Sequence, residues 1–452
     1  MTRLIIGMVA AAVLLAGCIA RDRDPRVTIR ISGSALGAEG QILTRQLEQF
    51  MAGNPDLRVV IQRTPDDATQ RHQLFVQWLN ARVGHPDILQ LDVVWTPEFA
   101  AAGWILPLDR YAPDADAFFP AAIEANTWNG ELFAIPWFVD VGMLYRRTDL
   151  VPDEPRDLAE LVAAARRGSS GAGAPRHGFV FQGARYEGLI TVFVEILGAH
   201  GGRILAEDGR VAVNEPAAVR ALEFLRDAIW SDGISPADVL GWHEEETRFA
   251  FQNGDAVFMR NWPYAYSLLA DEARSRVAGA YAVGPMPAAD ADLFPDGEPT
   301  TALGGAPLAI NRWSDHPDEA WRVIAYLTSP ERMLERAEAV GQFPPRVALF
   351  DEPRLAAALP IPAADARRAI AQAEPRPVTP IWTEMSELLQ IELHRALARQ
   401  ATPEASLDAA ARRIEALIER TGVGRLEASR DTGTATLLEQ RRRAALDARR
   451  AP

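Results

Sequence analysis

The chain has 452 residues, 48% of them hydrophobic and 24% charged, a balance that supports a buried core and excludes a disordered or fibrous protein. Arg and Lys positions number 47 against 61 for Asp and Glu, a net charge of −14. That excludes a nucleic-acid binder, which needs a basic face to neutralise phosphate. No lysine occurs anywhere, so a P-loop lysine, a Schiff-base lysine and a lysine nucleophile are excluded too.

Arg3 is followed by an uncharged stretch over 4–17 and then by the single cysteine, Cys18. The stretch is too short to cross a bilayer as a helix, and a basic start before a short apolar run has the form of an export signal. Leu15-Ala16-Gly17-Cys18 resembles a bacterial lipobox. That resemblance implies cleavage before Cys18 and a lipid on the new N-terminus. Residues 1–17 are then a lipoprotein signal peptide, and 18–25, with the charged run Arg21-Asp22-Arg23-Asp24, a tether that keeps the protein near the membrane. With its one cysteine lipidated, the mature chain has no disulfide.

Alternation of apolar and polar residues predicts a first strand over 27–32, and Leu43, Leu47 and Phe50 fall at helical spacing after it. Strands follow over 57–61 and 87–91, with a helix carrying Leu74, Phe75, Trp78 and Leu79 between them. Strand, helix, strand, helix, strand implies an α/β fold with a largely parallel sheet, which binds ligands beyond the carboxyl ends of its strands. Further on, the pattern predicts helices over 158–167, 217–230, 317–328, 330–340, 383–399 and 403–420, and a Gly/Ser/Ala loop over 168–175. The Arg-rich segment from about 426 to the end reads as a solvated helix or frayed extension.

The seven histidines show no metal-ligand spacing, and neither a G-x-S-x-G elbow nor a G-x-G-x-x-G turn is present. No metal or organic cofactor is expected. What remains are acids and aromatics at strand ends and loops: Glu39, Asp92 with Trp95, Asp140 with Trp137 and Phe138, Trp262 with Tyr264, and Trp382. A pyranose presents an apolar face that stacks on such rings and a rim of hydroxyls that carboxylates and arginines grip through paired bonds. Paired carboxylates also suit glycoside hydrolysis, so these residue types leave that alternative open.

Several segments carry a family resemblance in order along the chain: Leu91-Asp-Val-Val-Trp95, Gly103-Trp-Ile-Leu-Pro-Leu-Asp109, and Ala134-Ile-Pro-Trp-Phe-Val-Asp140 running on to Tyr145. Gly178-Phe-Val-Phe-Gln182 through Gly188, Arg260-Asn-Trp-Pro-Tyr-Ala265, Ala302-Leu-Gly-Gly305 and Pro375-Arg-Pro-Val378 continue it. Together they resemble the extracellular solute-binding proteins of ABC sugar importers, specifically the trehalose/maltose-binding type.

The resemblance implies a two-lobed periplasmic-binding-protein fold with a ligand cleft and three crossing segments, near 136–140, 283–287 and 341–346. The N-terminal lobe would hold 26–137 and 286–341, the C-terminal lobe 138–285 and 346–424, with 425–452 as a charged extension. It implies first-lobe ligand residues Glu39, Arg71 and Asp92, with Asp140 at the first crossing. Stacking rings follow at Trp262 and Tyr264, a backbone contact at Gly305 and a sugar-binding arginine at Arg376. Ala306 departs from the family, which has Trp there. The implied function is a monomeric, lipid-anchored, extracytoplasmic protein, not an enzyme, that captures an α-glucoside and delivers it to permease subunits. A secreted glycoside hydrolase and a ligand-free structural lipoprotein are the alternatives.

Overall fold

The computed structural model describes residues 24–33, 37–65, 68–206, 208–359 and 361–423. The signal segment, Cys18 and the extension 425–452 lie outside the described residues, as does the tether up to residue 23.

The first lobe is built on a five-stranded sheet. Its strands are β1 (Val27–Gly33), β2 (Leu57–Arg63), β3 (Ile88–Gln90), β6 (Ala134–Val141) and β11 (Leu303–Ile310), in the order β2-β1-β3-β11-β6. A small hairpin, β4 (Thr127–Trp128) with β5 (Glu131–Leu132), precedes β6. The alternation read in β1 is realised by Ile29 and Ile31, both completely buried; each such side chain contributes about 1.5–3 kcal/mol. β1 runs parallel to β2 and β3, whereas β11 is antiparallel to both β3 and β6. The sheet is therefore mixed, not largely parallel, because the chain returns from the second lobe through β11 in the opposite direction.

The second lobe has a four-stranded sheet in the order β10-β7-β9-β8, from β7 (Met143–Arg147), β8 (His177–Val180), β9 (Ala256–Asn261) and β10 (Tyr281–Gly284). Helices Leu158–Gly168, Glu187–Ala199, Pro216–Trp230, Trp382–Leu397 and Pro403–Thr421 supply residues to its apolar cluster. Their ends follow local chemistry. The Asp157 carboxylate accepts the Glu160 backbone N–H at 2.7 Å and caps the first of them, Pro216 opens the third, and Gly422, left-handed at φ 70°, ends the last.

Two crossings are short or well defined: Gly142 alone separates β6 from β7, and 285–302 join β10 to β11. The third differs from the expected 341–346. The segments Val347–Asp351, Pro353–Ala358 and Ala363–Ala371 stay with the first lobe instead of joining the second. Phe350 meets Phe119 edge to face at 5.5 Å, Arg346 bridges Phe118, and Leu355 and Ile370 are fully buried in the same cluster. Apolar side chains at 349, 350, 355 and 370 give this stretch a face to bury, and the first lobe supplies the matching surface. The chain passes to the second lobe beyond Glu374, which pairs with Ala302.

Gly305 sits in β11 at φ 115°, where a Cβ would run into the Phe138 carbonyl oxygen and lie 2.9 Å from Val139 Cα. Gly305→Ala is expected to lower stability by about 2 kcal/mol or more, since it adds left-handed strain to a backbone clash. Urea denaturation of variant and parent checks this.

Candidate functional site

The site forms where the two sheets meet. Glu39, in the first turn of helix Gly37–Gly53, accepts from Gln342 Nε2 at 3.1 Å and lies 3.9 Å from Arg336 Nη2. Asp92 follows β3, and its Oδ1 accepts the Val94 backbone N–H at 3.2 Å. Asp140 is near the end of β6. Part of the residue is open to solvent, yet its Oδ1 is fully shielded and has no hydrogen-bond partner. Burial pushes the Asp140 carboxyl up to about 7, Glu39 and Asp92 add to the rise, and Arg336 and Arg260 oppose it.

Trp262, directly after β9, closes on this group from the second lobe. A Cβ at Gly304 would stand 3.1 Å from Trp262 Cζ3 and 3.3 Å from Asp140 Cβ, so the ring lies close against the glycine and a side chain there would make it shift by a few tenths of an ångström. The indole Nε1–H donates to Glu244 Oε1 at 3.3 Å. Tyr264 donates its hydroxyl to Glu245 Oε1 at 2.7 Å. Both acids lie in the first turn of Glu244–Gln252. On the first-lobe side, Val93 donates its backbone N–H to the Gly305 carbonyl at 3.3 Å, placing Gly305 beside the Asp92 loop.

Arg376 ties the lobes together. Nη1 donates to Glu187 Oε1 at 2.7 Å, Nη2 to the Leu303 carbonyl at 3.1 Å, and Nη2 stands 3.6 Å from Asp92 Oδ1. Glu187, in the first turn of Glu187–Ala199, also accepts from Trp382 Nε1 at 3.2 Å and from Ser386 Oγ. Burial raises the Glu187 carboxyl while Arg376 opposes that rise. Beside it Thr383 donates to Glu98 Oε2 at 2.6 Å, and Glu98 also meets His72 Nε2 at 2.9 Å. Two acids from opposite lobes thus converge on the N-terminus of Trp382–Leu397, where the helix dipole favours negative charge.

Of the residues expected from sequence, Glu39, Asp92, Asp140, Trp262, Gly305 and Arg376 come together. Arg71 and Tyr264 make other contacts. Arg71 donates to the Pro65 carbonyl at 3.0 Å with its guanidinium 5.4 Å from the Trp95 ring centre, and Tyr264 is on Glu245. Ala306 is 6% exposed, packed in the apolar cluster opposite Phe138.

Residues that sequence reasoning missed complete the floor. Arg336, 2% exposed, lies 4.0 Å under the Trp137 ring and 4.9 Å from Phe138, and burial lowers it to about 10 against the pull of Glu39 and Asp140. Arg260 lies 3.9 Å from the Trp262 ring centre. A sequence signal existed for one of them. Arg336 shares a helical face with Met333, Ala337 and Val340, where a solvated arginine has no place. Among the described residues no cluster of acids, His or Cys could hold a metal ion, and no helix is long and apolar enough to cross a membrane.

Two α/β lobes facing each other across rings, carboxylates and guanidiniums define a cleft-binding protein. The family model described as bacterial extracellular solute-binding protein matches residues 34–333, and the chain belongs to that family, whose members bind solutes outside the cytoplasm and are not enzymes. A probable ABC transporter-binding protein of Deinococcus radiodurans is 34% identical over 313 residues, covering 67% of this chain and 72% of the relative. The maltose-bound structure of MalE3 from T. maritima is 38% identical, with a TM-score of 0.81, covering 86% of this chain and 99% of that one. An arabinooligosaccharide-binding protein of Halalkalibacterium halodurans is 22% identical over 301 residues, 66% of each chain.

The folded protein holds the Asp140 proton up to about pH 7, whereas an unfolded aspartate releases it near its ordinary 3.8. Ionising this carboxyl therefore costs stability as pH rises through that window. Asp140→Asn removes the cost, so its stability relative to the parent should increase from pH 5 to pH 8 in urea denaturation. A pH-independent difference would contradict the placement of this proton.

Proposed function

We propose that the chain is the sugar-capturing component of an ABC importer, closing its two lobes over an α-glucoside and presenting the closed form to permease subunits. The observation that carries this reading is the Trp262 ring standing against Gly304 and Asp140, with Glu39, Asp92 and Arg376 around them. Such a ring covers the apolar face of a pyranose while acids and an arginine meet its hydroxyls. The buried Oδ1 of Asp140, with no protein donor, is matched to a sugar hydroxyl. Tyr264 and Arg71 would bound the two ends of the ligand, and the Gly305 backbone would line its floor.

Closure needs a ligand that interacts better with the closed form than with the open one, and residues split between the lobes supply that bias. We take the hinge to be Gly142, 285–302 and the stretch after Glu374, with 347–371 moving with the first lobe. Lipid on Cys18 would hold the monomeric protein at the membrane beside its permease. Maltose bound to MalE3 of T. maritima supports a glucosyl disaccharide as ligand. The carboxylates are read as hydrogen-bonding groups for that ligand, and not as acid and base, because the family consists of binding proteins.

Trp262→Ala is expected to weaken binding of maltose or trehalose by about tenfold or more, the loss of one stacked ring being worth ~1–2 kcal/mol, while the free protein stays folded with a lower melting temperature, because Arg260 loses the ring it faces. Titration calorimetry measures the affinity. Unchanged affinity would remove Trp262 from the ligand site.

A further inference from the structure

Behind Trp262 lies an ion pair that the ligand reading does not use. Arg260 and Glu195 are both 0% exposed. Arg260 Nε donates to Glu195 Oε2 at 2.9 Å and Nη2 donates to Oε1. Nη1 donates to Gln182 Oε1 at 3.1 Å, and Gln182 Nε2 in turn donates to Thr247 Oγ1 at 2.8 Å and to the Arg260 carbonyl at 3.1 Å. The guanidinium plane is locked by these bonds and faces the indole at 3.9 Å.

The other side of the pair reaches the crossings. A Cβ at Gly142 would overlap Glu195 Oε1 and come within 2.5 Å of Arg260 Nη2. Ala302, just before β11, donates its backbone N–H to Glu195 Oε1 at 3.3 Å, and Thr301 donates its hydroxyl to the Gly142 carbonyl at 2.9 Å. One buried unit therefore touches the aromatic platform and two of the three chain crossings.

We propose that Arg260 and Glu195 are positioning residues for ligand binding: the pair fixes the Trp262 ring and registers it to the crossings at Gly142 and Ala302. This rests on the cleft-binding function above. Buried pairs are poor stabilisers, since an apolar pair of similar volume is commonly as stable or more so; a pair kept here serves geometry. Lysine could not replace arginine, because an ammonium offers no flat plate to the indole. Through this unit a ligand pressing on Trp262 acts on the same atoms that set the crossing backbone.

The test uses the indole N–H resonances of protein labelled with 15N-tryptophan, the Trp262 signal being assigned by its loss in Trp262→Phe. In unliganded Arg260→Lys, and in Glu195→Leu combined with Arg260→Met, that signal should move toward the free-indole position and broaden, with the other indole signals in place. Maltose affinity by calorimetry should fall about tenfold in both variants, the range expected for a desolvated cation–π contact, and should not fall further when either change is made in Trp262→Ala. If the apolar pair does not fold, Arg260→Lys, which keeps the charge, carries the test. An unmoved Trp262 signal overturns the proposal without reference to any ligand. Affinity lost in Trp262→Ala but kept in the Arg260 variants overturns it while leaving the sugar site intact. No effect in Trp262→Ala is instead a failure of the site reading.

Discussion

A guanidinium buried behind an aromatic ring is the arrangement on which both halves of the cleft rest. In the second lobe Arg260 backs Trp262, and in the first Arg336 backs Trp137 and Phe138. A buried cation is expensive unless an acid compensates it. Glu195 does so for Arg260 by direct hydrogen bonds. For Arg336 the compensation is looser: Glu39 at 3.9 Å and the field of Asp140, with Gln342 Oε1 accepting from Nε. The acids around Arg336 are partly open to solvent, whereas Glu195 is wholly internal.

The same electrostatics explain why the lobes meet where they do. Arg376, held by Glu187, reaches toward Asp92 of the first lobe, and Glu98 reaches back to Thr383 of the second. Both acids end at the start of one 16-residue helix. Asp140, by contrast, is left with a shielded oxygen and no donor, an unfavourable state that the proposed sugar hydroxyl would relieve.

Much of this was legible in the chain. Helical spacing located Pro330–Val340 to the residue and Leu158–Gly168 to within one, because their apolar faces and end residues agree. The Arg260-Asn-Trp-Pro-Tyr segment announced its rings. Its arginine was not read as part of the site, since, unlike Arg336 on its helical face, it sits in a strand without the polar and apolar alternation that would assign it a side. The signal for its partner was stronger: Glu195 is a lone acid in the middle of an apolar helix whose neighbours Phe193, Val194, Ile196 and Leu197 are buried, and such a charge must be paired. The antiparallel course of β11 and the first-lobe packing of 347–371 were not legible. Both depend on where the chain re-enters a lobe, which periodicity does not encode.

The central claim is that a sugar draws the two lobes together. Electron–electron resonance between spin labels at Glu48→Cys in the first lobe and Asp227→Cys in the second, with Cys18 replaced, measures this directly. With maltose or trehalose shown by calorimetry to be bound to the same sample, the distance distribution should narrow and shift. A distribution identical with and without the bound sugar would contradict closure as the consequence of binding.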